Sequence, residues 1–154
     1  MKKCLLILFM VLLVCSCKKN EDKKEEVKIL STGELVCGYK EQRVNENVIY
    51  TSVHVFNYNK NGILVDVKNI ESVEFDGTLE SVREKYKKAL EEDVNNYKDI
   101  KGISVEKNLE KSKYSFEVNI NKDEISEELK DKFLLTYDRK TVYKIFTADG
   151  YSCE

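Results

Sequence analysis

The chain has 154 residues, with 26 basic side chains against 28 acidic ones and neither Trp nor Pro. Charges of both signs are dense and nearly balanced, which excludes the basic footprint that a nucleic-acid surface requires. This length holds one real core and a tail rather than two domains.

The N-terminus reads as a targeting segment. Lys2 and Lys3 precede an unbroken apolar run from Leu5 to Val14, which ends in Val14-Cys15-Ser16-Cys17. A basic n-region, a short h-region and a small residue at the cleavage point make a secretory signal. The apolar run covers only about half of a ~30 Å hydrocarbon core, too short for a permanent span. With Ser16 before it and Val14 three back, Cys17 resembles the lipidated cysteine of the bacterial lipoprotein lipobox. Cys15 does not fit, because Val14 would occupy the position reserved for a small residue. The resemblance implies cleavage after residue 16 and a lipid on Cys17. It also implies anchorage to the extracytoplasmic face of the bacterial cell membrane. Each buried CH₂ of such a lipid contributes ~0.8 kcal/mol, so several acyl chains hold where one would leave.

Residues 17–30 form the next unit. From Lys18 to Glu26 almost every residue is charged. Such a run has no apolar surface to bury and is expected to act as a solvated tether.

The domain is expected over residues 31–154. GELVCGYKEQ reads as a strand, followed by an Asn-rich turn, VNENV. The stretch NVIYTSVHVFNYN is β-branched and aromatic, hence a second strand; neither of its faces is cleanly polar, so both are expected to be partly covered. Asn61-Gly62 is the strongest hairpin signal in the chain. The third strand, GILVDVKNIESVEF, is expected to be bent or interrupted around Lys68–Ile70. A long helix over about residues 78–97 follows, capped by Asp76 or Thr78, with Leu79, Val82, Tyr86, Ala89 or Leu90, and Val94 or Tyr97 at helical spacing. That register buries Leu79, Val82 and Tyr86 and exposes Lys85 and Lys88. A second hairpin, GISVEKNLE and SKYSFEVNINK, places Tyr114, Phe116, Val118 and Ile120 on one face. A shorter helix runs from Asp123 to about Leu135, and a last one starts at Asp138 and ends at Asp149-Gly150. The fold class is therefore α+β. An antiparallel sheet of about five strands, a meander plus a hairpin, packs on one long helix, with two shorter C-terminal helices.

Of five cysteines, Cys4 and Cys15 leave with the signal and Cys17 takes the lipid, so Cys37 and Cys153 remain. They read either as a reactive thiol pair or as one bridge joining the first strand to the C-terminus. The bridge is the expectation in an oxidising compartment.

The order of lipobox, charged tether, three-stranded meander, long helix, YKDIKGISV and second hairpin resembles the YehR-like family of small bacterial lipoproteins. The resemblance centres on Tyr86 to Ile120, with Tyr97, Gly102 and Val105 most recognisable. The cysteine pair and the terminal DGYSC depart from that pattern. The resemblance implies an α+β domain and no assigned activity.

Candidate chemistry is sparse. His54 is the only histidine, so any His-based metal site or hydrolytic triad must be built on it. No GxSxG, Walker loop, HExxH or CxxC occurs. The run Asn57 to Gly62 imitates the start of a calcium loop but has no carboxylate, and Lys68 stands where a bidentate Glu belongs. A thiol hydrolase built on Cys153 and His54 would lose its nucleophile to the bridge. No catalytic, metal or cofactor-binding residue is therefore expected. The expectation is a membrane-anchored protein that acts by binding an envelope protein or a small ligand. The alternative is a small cell-envelope hydrolase.

Overall fold

The computed structural model describes residues 30–154. The signal segment, Cys17 and the tether as far as residue 29 lie outside the described residues.

The elements in chain order are β1 (Gly33–Arg43), a 3₁₀ turn (Val44–Glu46), β2 (Val48–Tyr58), β3 (Leu64–Phe75), α1 (Glu80–Tyr97), β4 (Ile103–Glu110), β5 (Lys113–Asn121), α2 (Glu127–Lys132), α3 (Arg139–Ala148) and β6 (Ser152–Cys153). The class is α+β, as expected, but the sheet has six strands in the order β4-β5-β3-β2-β1-β6. All pairings are antiparallel. The sixth strand is the C-terminus itself, two residues laid along β1.

Asn47 closes the β1–β2 turn in a left-handed conformation, which Asn tolerates because its short side chain is compatible with αL. The β2–β3 connection is a loop rather than a two-residue turn. The Asn59 side-chain carbonyl accepts from the N–H groups of Asn61 and Ile63, and Gly62 takes φ +74°. The register slip that this hairpin needs falls at Asn57/Tyr58. β3 runs through Lys68–Ile70 without interruption.

The alternation of β5 appears as predicted: Tyr114, Phe116, Val118 and Ile120 are all buried. Cross-strand register carries this inward face through Val67 and Val73 of β3, Phe56 and Val48 of β2, and Leu35 and Cys37 of β1. The three helices cover the same face. α1 packs across β4 and β5, and α3 packs against β1 and β6. α2 and the segment after it add Ile125, Phe133 and Leu135 to the core. On the opposite face Ile49, Val53, Val55 and Ile70 are half-buried.

α1 begins later than its sequence pattern suggests. Neither Asp76 nor Thr78 caps it; Leu79 holds the N-cap position and the Thr78 hydroxyl donates to the Asn47 carbonyl instead. Leu79 therefore has extended dihedrals and 72% exposure, a correction to its expected burial. Leu90 is the buried anchor, flanked by half-buried Val82, Tyr86, Val94 and Tyr97, while Lys85 and Lys88 are exposed as expected. α2 is shorter than the helix read from Asp123 to Leu135, ending at Lys132. The next residues turn through Phe133 and a left-handed Leu134.

α3 is bounded as its sequence indicated. The Asp138 carboxylate accepts from the Thr141 N–H at 2.9 Å. At the other end Gly150 takes φ +87°, its N–H donates to Thr147 and the Tyr151 N–H donates to Phe146. This pattern is a Schellman motif, with its usual apolar contact supplied by the Phe146 and Tyr151 rings 4.9 Å apart. The chain then reverses, and Val36 and Glu154 exchange two backbone hydrogen bonds of 3.0 Å. Cys37 and Cys153 are thus the adjacent non-hydrogen-bonded pair, where facing Cα atoms come closest. They form the disulfide, with Cα atoms 4.1 Å apart. That is slightly nearer than the usual 4.4–6.8 Å for disulfides.

Two outcomes follow for stability. Leu90→Ala removes a buried anchor and should cost about 2–5 kcal/mol in urea unfolding, whereas Leu79→Ala should stay within about 0.5 kcal/mol. Equal effects would mean that α1 packs in another register. The bridge closes a separation of 116 residues. Converting both Cys37 and Cys153 to Ser should therefore lower stability by roughly 4–5 kcal/mol on the chain-entropy account. Peptide mass mapping without reductant should find neither thiol free.

Candidate functional site

The two longest helices sit over opposite flanks of the sheet, so the middle of β2 and β3 lies between them. There the inward face becomes polar. Tyr50, Ser52 and His54 of β2 alternate inward, facing Val73, Glu71 and Asn69 of β3 in register.

One cluster is built around His54. Its Nδ1 lies 2.8 Å from Asn69 Oδ1 and its Nε2 lies 3.1 Å from Ser52 Oγ. Because the Asn69 oxygen can only accept, Nδ1 carries the proton and Nε2 accepts from the Ser52 hydroxyl. The Tyr151 hydroxyl reaches Ser52 Oγ at 3.4 Å, so the donors run in one direction from Tyr151 to Asn69. The rings of Phe146 and Tyr151 stand 4.7 and 5.4 Å from the imidazole. Burial among them pushes the His54 pKa below its ordinary value of 6.5, against the opposing effect of Asn69. His54 is also the cross-strand partner of Cys37, which places the single histidine beside the bridge.

Ser52, His54 and Asn69 have the order of nucleophile, base and orienting group. The hydrolase alternative would draw on them. However, Ser52 is 1% exposed and lies under the Tyr151 hydroxyl, so a substrate carbonyl has no approach to its oxygen. The array serves as an internal hydrogen-bond chain that joins the C-terminal segment to the sheet. Cys153, the other candidate nucleophile, is bonded to Cys37.

The second cluster surrounds a cavity of about 150 Å³ between α1 and the sheet. Tyr50, Tyr86, Tyr114 and Phe116 supply aromatic walls, Leu90 closes it on the helix side, and Glu71 and Asp93 bring carboxyl groups from strand and helix. The Tyr50 hydroxyl donates to Glu71 Oε2 at 2.9 Å. Burial holds the Glu71 carboxyl above the ordinary range, and the charge of Asp93 adds to the shift. Asp93 is raised for the same first reason, with Glu92 contributing. Arg43 edges the cavity. Its guanidinium donates to Glu41 Oε2 at 2.8 and 3.0 Å and to the Tyr86 hydroxyl at 2.9 Å. Tyr86 in turn donates to Glu46, which also accepts from Lys85 at 2.7 Å. This chain ties α1 to the β1–β2 turn.

Among the described residues, no group of three or more His, Cys, Asp or Glu side chains is placed to hold a metal ion. The imitation calcium loop at Asn57–Gly62 is the β2–β3 connection. No helix of the described residues is long and apolar enough to cross a membrane.

The fold and cavity define a small α+β domain with a candidate ligand site and without an accessible nucleophile of the Ser-His or Cys-His kind among the described residues. Comparison with protein-family models, with curated proteins and with solved structures returns no match.

The histidine cluster makes stability depend on pH with a definite sign. The unfolded chain takes up a proton at His54 near its ordinary pKa of 6.5, while the fold resists that proton. Stability therefore falls as pH drops below that value, by up to about 1.4 kcal/mol per unit, until the folded pKa is reached. Glu71, raised in the fold, contributes with the opposite sign as pH rises through its ordinary value of 4.5. The difference between wild type and His54→Gln in urea unfolding isolates the first effect. Wild type should lose stability relative to the variant on going from about pH 7.5 to pH 5.5. A constant difference would place a charged, solvated His54 in the fold.

Proposed function

We propose that the chain is a lipid-anchored domain at the extracytoplasmic face of a bacterial cell membrane, acting by binding rather than by catalysis. It is held there through Cys17 and carried off the bilayer by the charged segment up to residue 30. One observation carries this reading. The two cysteines left over once residues 1–16 are removed and Cys17 is lipidated are the two that pair in the fold. A bridge of this kind persists in oxidising compartments and is rare in the cytosol. Kinship with the YehR-like lipoproteins is part of the same proposal. For binding, the support is chemical: the cavity beneath α1 has polar and aromatic walls, whereas the Ser52 hydroxyl is enclosed.

Metabolic labelling with a fatty-acid analogue tests the anchor. Wild type and Cys15→Ser should take the label and remain with the membrane fraction. Cys17→Ser should take none. Loss of label in Cys15→Ser alone would move the lipid to Cys15.

A further inference from the structure

The cavity beneath α1 has a chemical bias that its shape alone does not explain. Its two carboxyl groups approach from different elements, Glu71 from β3 and Asp93 from α1. Glu71 receives one hydrogen bond, from Tyr50. Asp93 makes no hydrogen bond and no ion pair among the described residues. The one cation in the lining, Arg43, is committed elsewhere, with its guanidinium held by Glu41 and the Tyr86 hydroxyl. The remaining charge facing the cavity is therefore negative and unmatched. Partial burial disfavours the ionised form of each carboxyl, and both groups hold their protons more tightly.

The walls favour the same sign. Tyr50, Tyr86, Tyr114 and Phe116 line the cavity, and an aromatic ring face attracts a cation. The Arg43 guanidinium already lies 5.3 Å from the Tyr50 centroid and 6.0 Å from that of Tyr86. These rings thus accept positive charge at the cavity edge. A hard metal ion suits the site poorly, because calcium takes about six to eight oxygen ligands and aromatic walls provide none. A volume of about 150 Å³ also limits the guest to a few heavy atoms.

We infer that the cavity between α1 and strands β2, β3 and β5 binds a small organic ammonium compound, with Glu71 and Asp93 matching its charge and the tyrosine rings packing its carbon atoms. This assignment rests on the binding role proposed above and names the ligand class for it. The N–H groups of the ammonium donate to the two carboxylates, and Tyr50 keeps Glu71 oriented. In the empty protein burial disfavours the ionised form of both carboxyl groups. Their neutral amides should therefore leave it at least as stable while removing the affinity. A residue retained only for structure would not separate these two properties.

The test uses the full chain in non-ionic detergent, titrated calorimetrically with propylammonium chloride at constant ionic strength. Propan-1-ol and sodium propionate serve as the neutral and anionic counterparts. Propylammonium should bind saturably and at least tenfold more tightly than either counterpart. Glu71→Gln and Asp93→Asn should each weaken it tenfold or more, the pair should abolish it, and neither should lower the thermal midpoint. Lys88→Ala, on the exposed side of α1, should leave the titration unchanged. Absence of saturable propylammonium binding, or equal affinity in the double variant, would overturn the assignment. Binding of propanol or propionate with no preference for the ammonium, and sensitive to Tyr50→Ala, would defeat the ligand class and leave the binding role standing. No binding of any of the three would remove this cavity from both. The anchor is judged separately by the labelling experiment.

Discussion

A sheet that buries one face needs enough apolar helix surface to cover it, and this chain has too little to cover it evenly. α1 contributes a single buried side chain, Leu90, from eighteen residues, and α3 contributes Val142 and Arg139. The helices therefore settle over the flanks, where β5 and β1 offer Phe116, Val118, Leu35 and Cys37. One end of the middle is filled by Ile125, Phe133 and Leu135 packing with Phe56 and Val67. The rest of the middle carries polar side chains that satisfy one another across the β2–β3 register. Polar groups in such a place must find partners, because an unpaired one costs about 1–3 kcal/mol. The Tyr151–Ser52–His54–Asn69 chain and the Tyr50–Glu71 bond meet that demand.

The C-terminus shows how a short helix is held. Ten residues are too few for α3 to persist alone, since isolated helices below about 12–15 residues are marginal in water. Its stability comes from both ends and one side. Asp138 caps the start, and the buried Arg139 guanidinium donates to the carbonyls of Leu30 and Glu34, tying the helix to the beginning of the domain. The Schellman motif then turns the chain so that Cys153 meets Cys37. Chain entry and chain exit are consequently fastened to the same helix. The first described residues and the last ones are therefore held by one helix and one strand, α3 and β1.

What the sequence revealed, and what it hid, divides along the range of the interactions. β5 was legible because its alternation is local and complete. The caps of α3 were legible because Asp138 and Gly150 act within a few residues of themselves. The bridge was legible by elimination among the cysteines. Leu79 was misread because its spacing matches the helical stripe while its backbone is still extended, so its side chain leaves the stripe. β6 is two residues long and carries no period to detect, so only the glycine cap and the cysteine pair indicated that residues 151–153 lie beside β1. The His54–Asn69 and Tyr50–Glu71 pairs depend on cross-strand register, which is set by the length of the Asn59–Ile63 loop and the slip at Asn57/Tyr58. A connection one residue longer or shorter would send Glu71 and Asn69 to the other face.

The same dependence on register gives the polar strip its meaning. Between Phe116 on one side and Ser52 on the other, a branched aliphatic residue in place of Glu71 would bury apolar surface and leave no carboxyl short of water. Replacing buried ionic groups by well-packed apolar ones is often neutral or stabilising. Stability alone therefore does not account for a carboxyl at Glu71, still less for a second one facing it from α1 at Asp93. Ser52, His54 and Asn69 differ in this respect, because each satisfies the next and the chain of donors ends on an acceptor. The closed network needs nothing further. The Glu71 site has one such donor, from Tyr50, and its further carboxyl at Asp93 beside aromatic walls is what the proposed cation would answer.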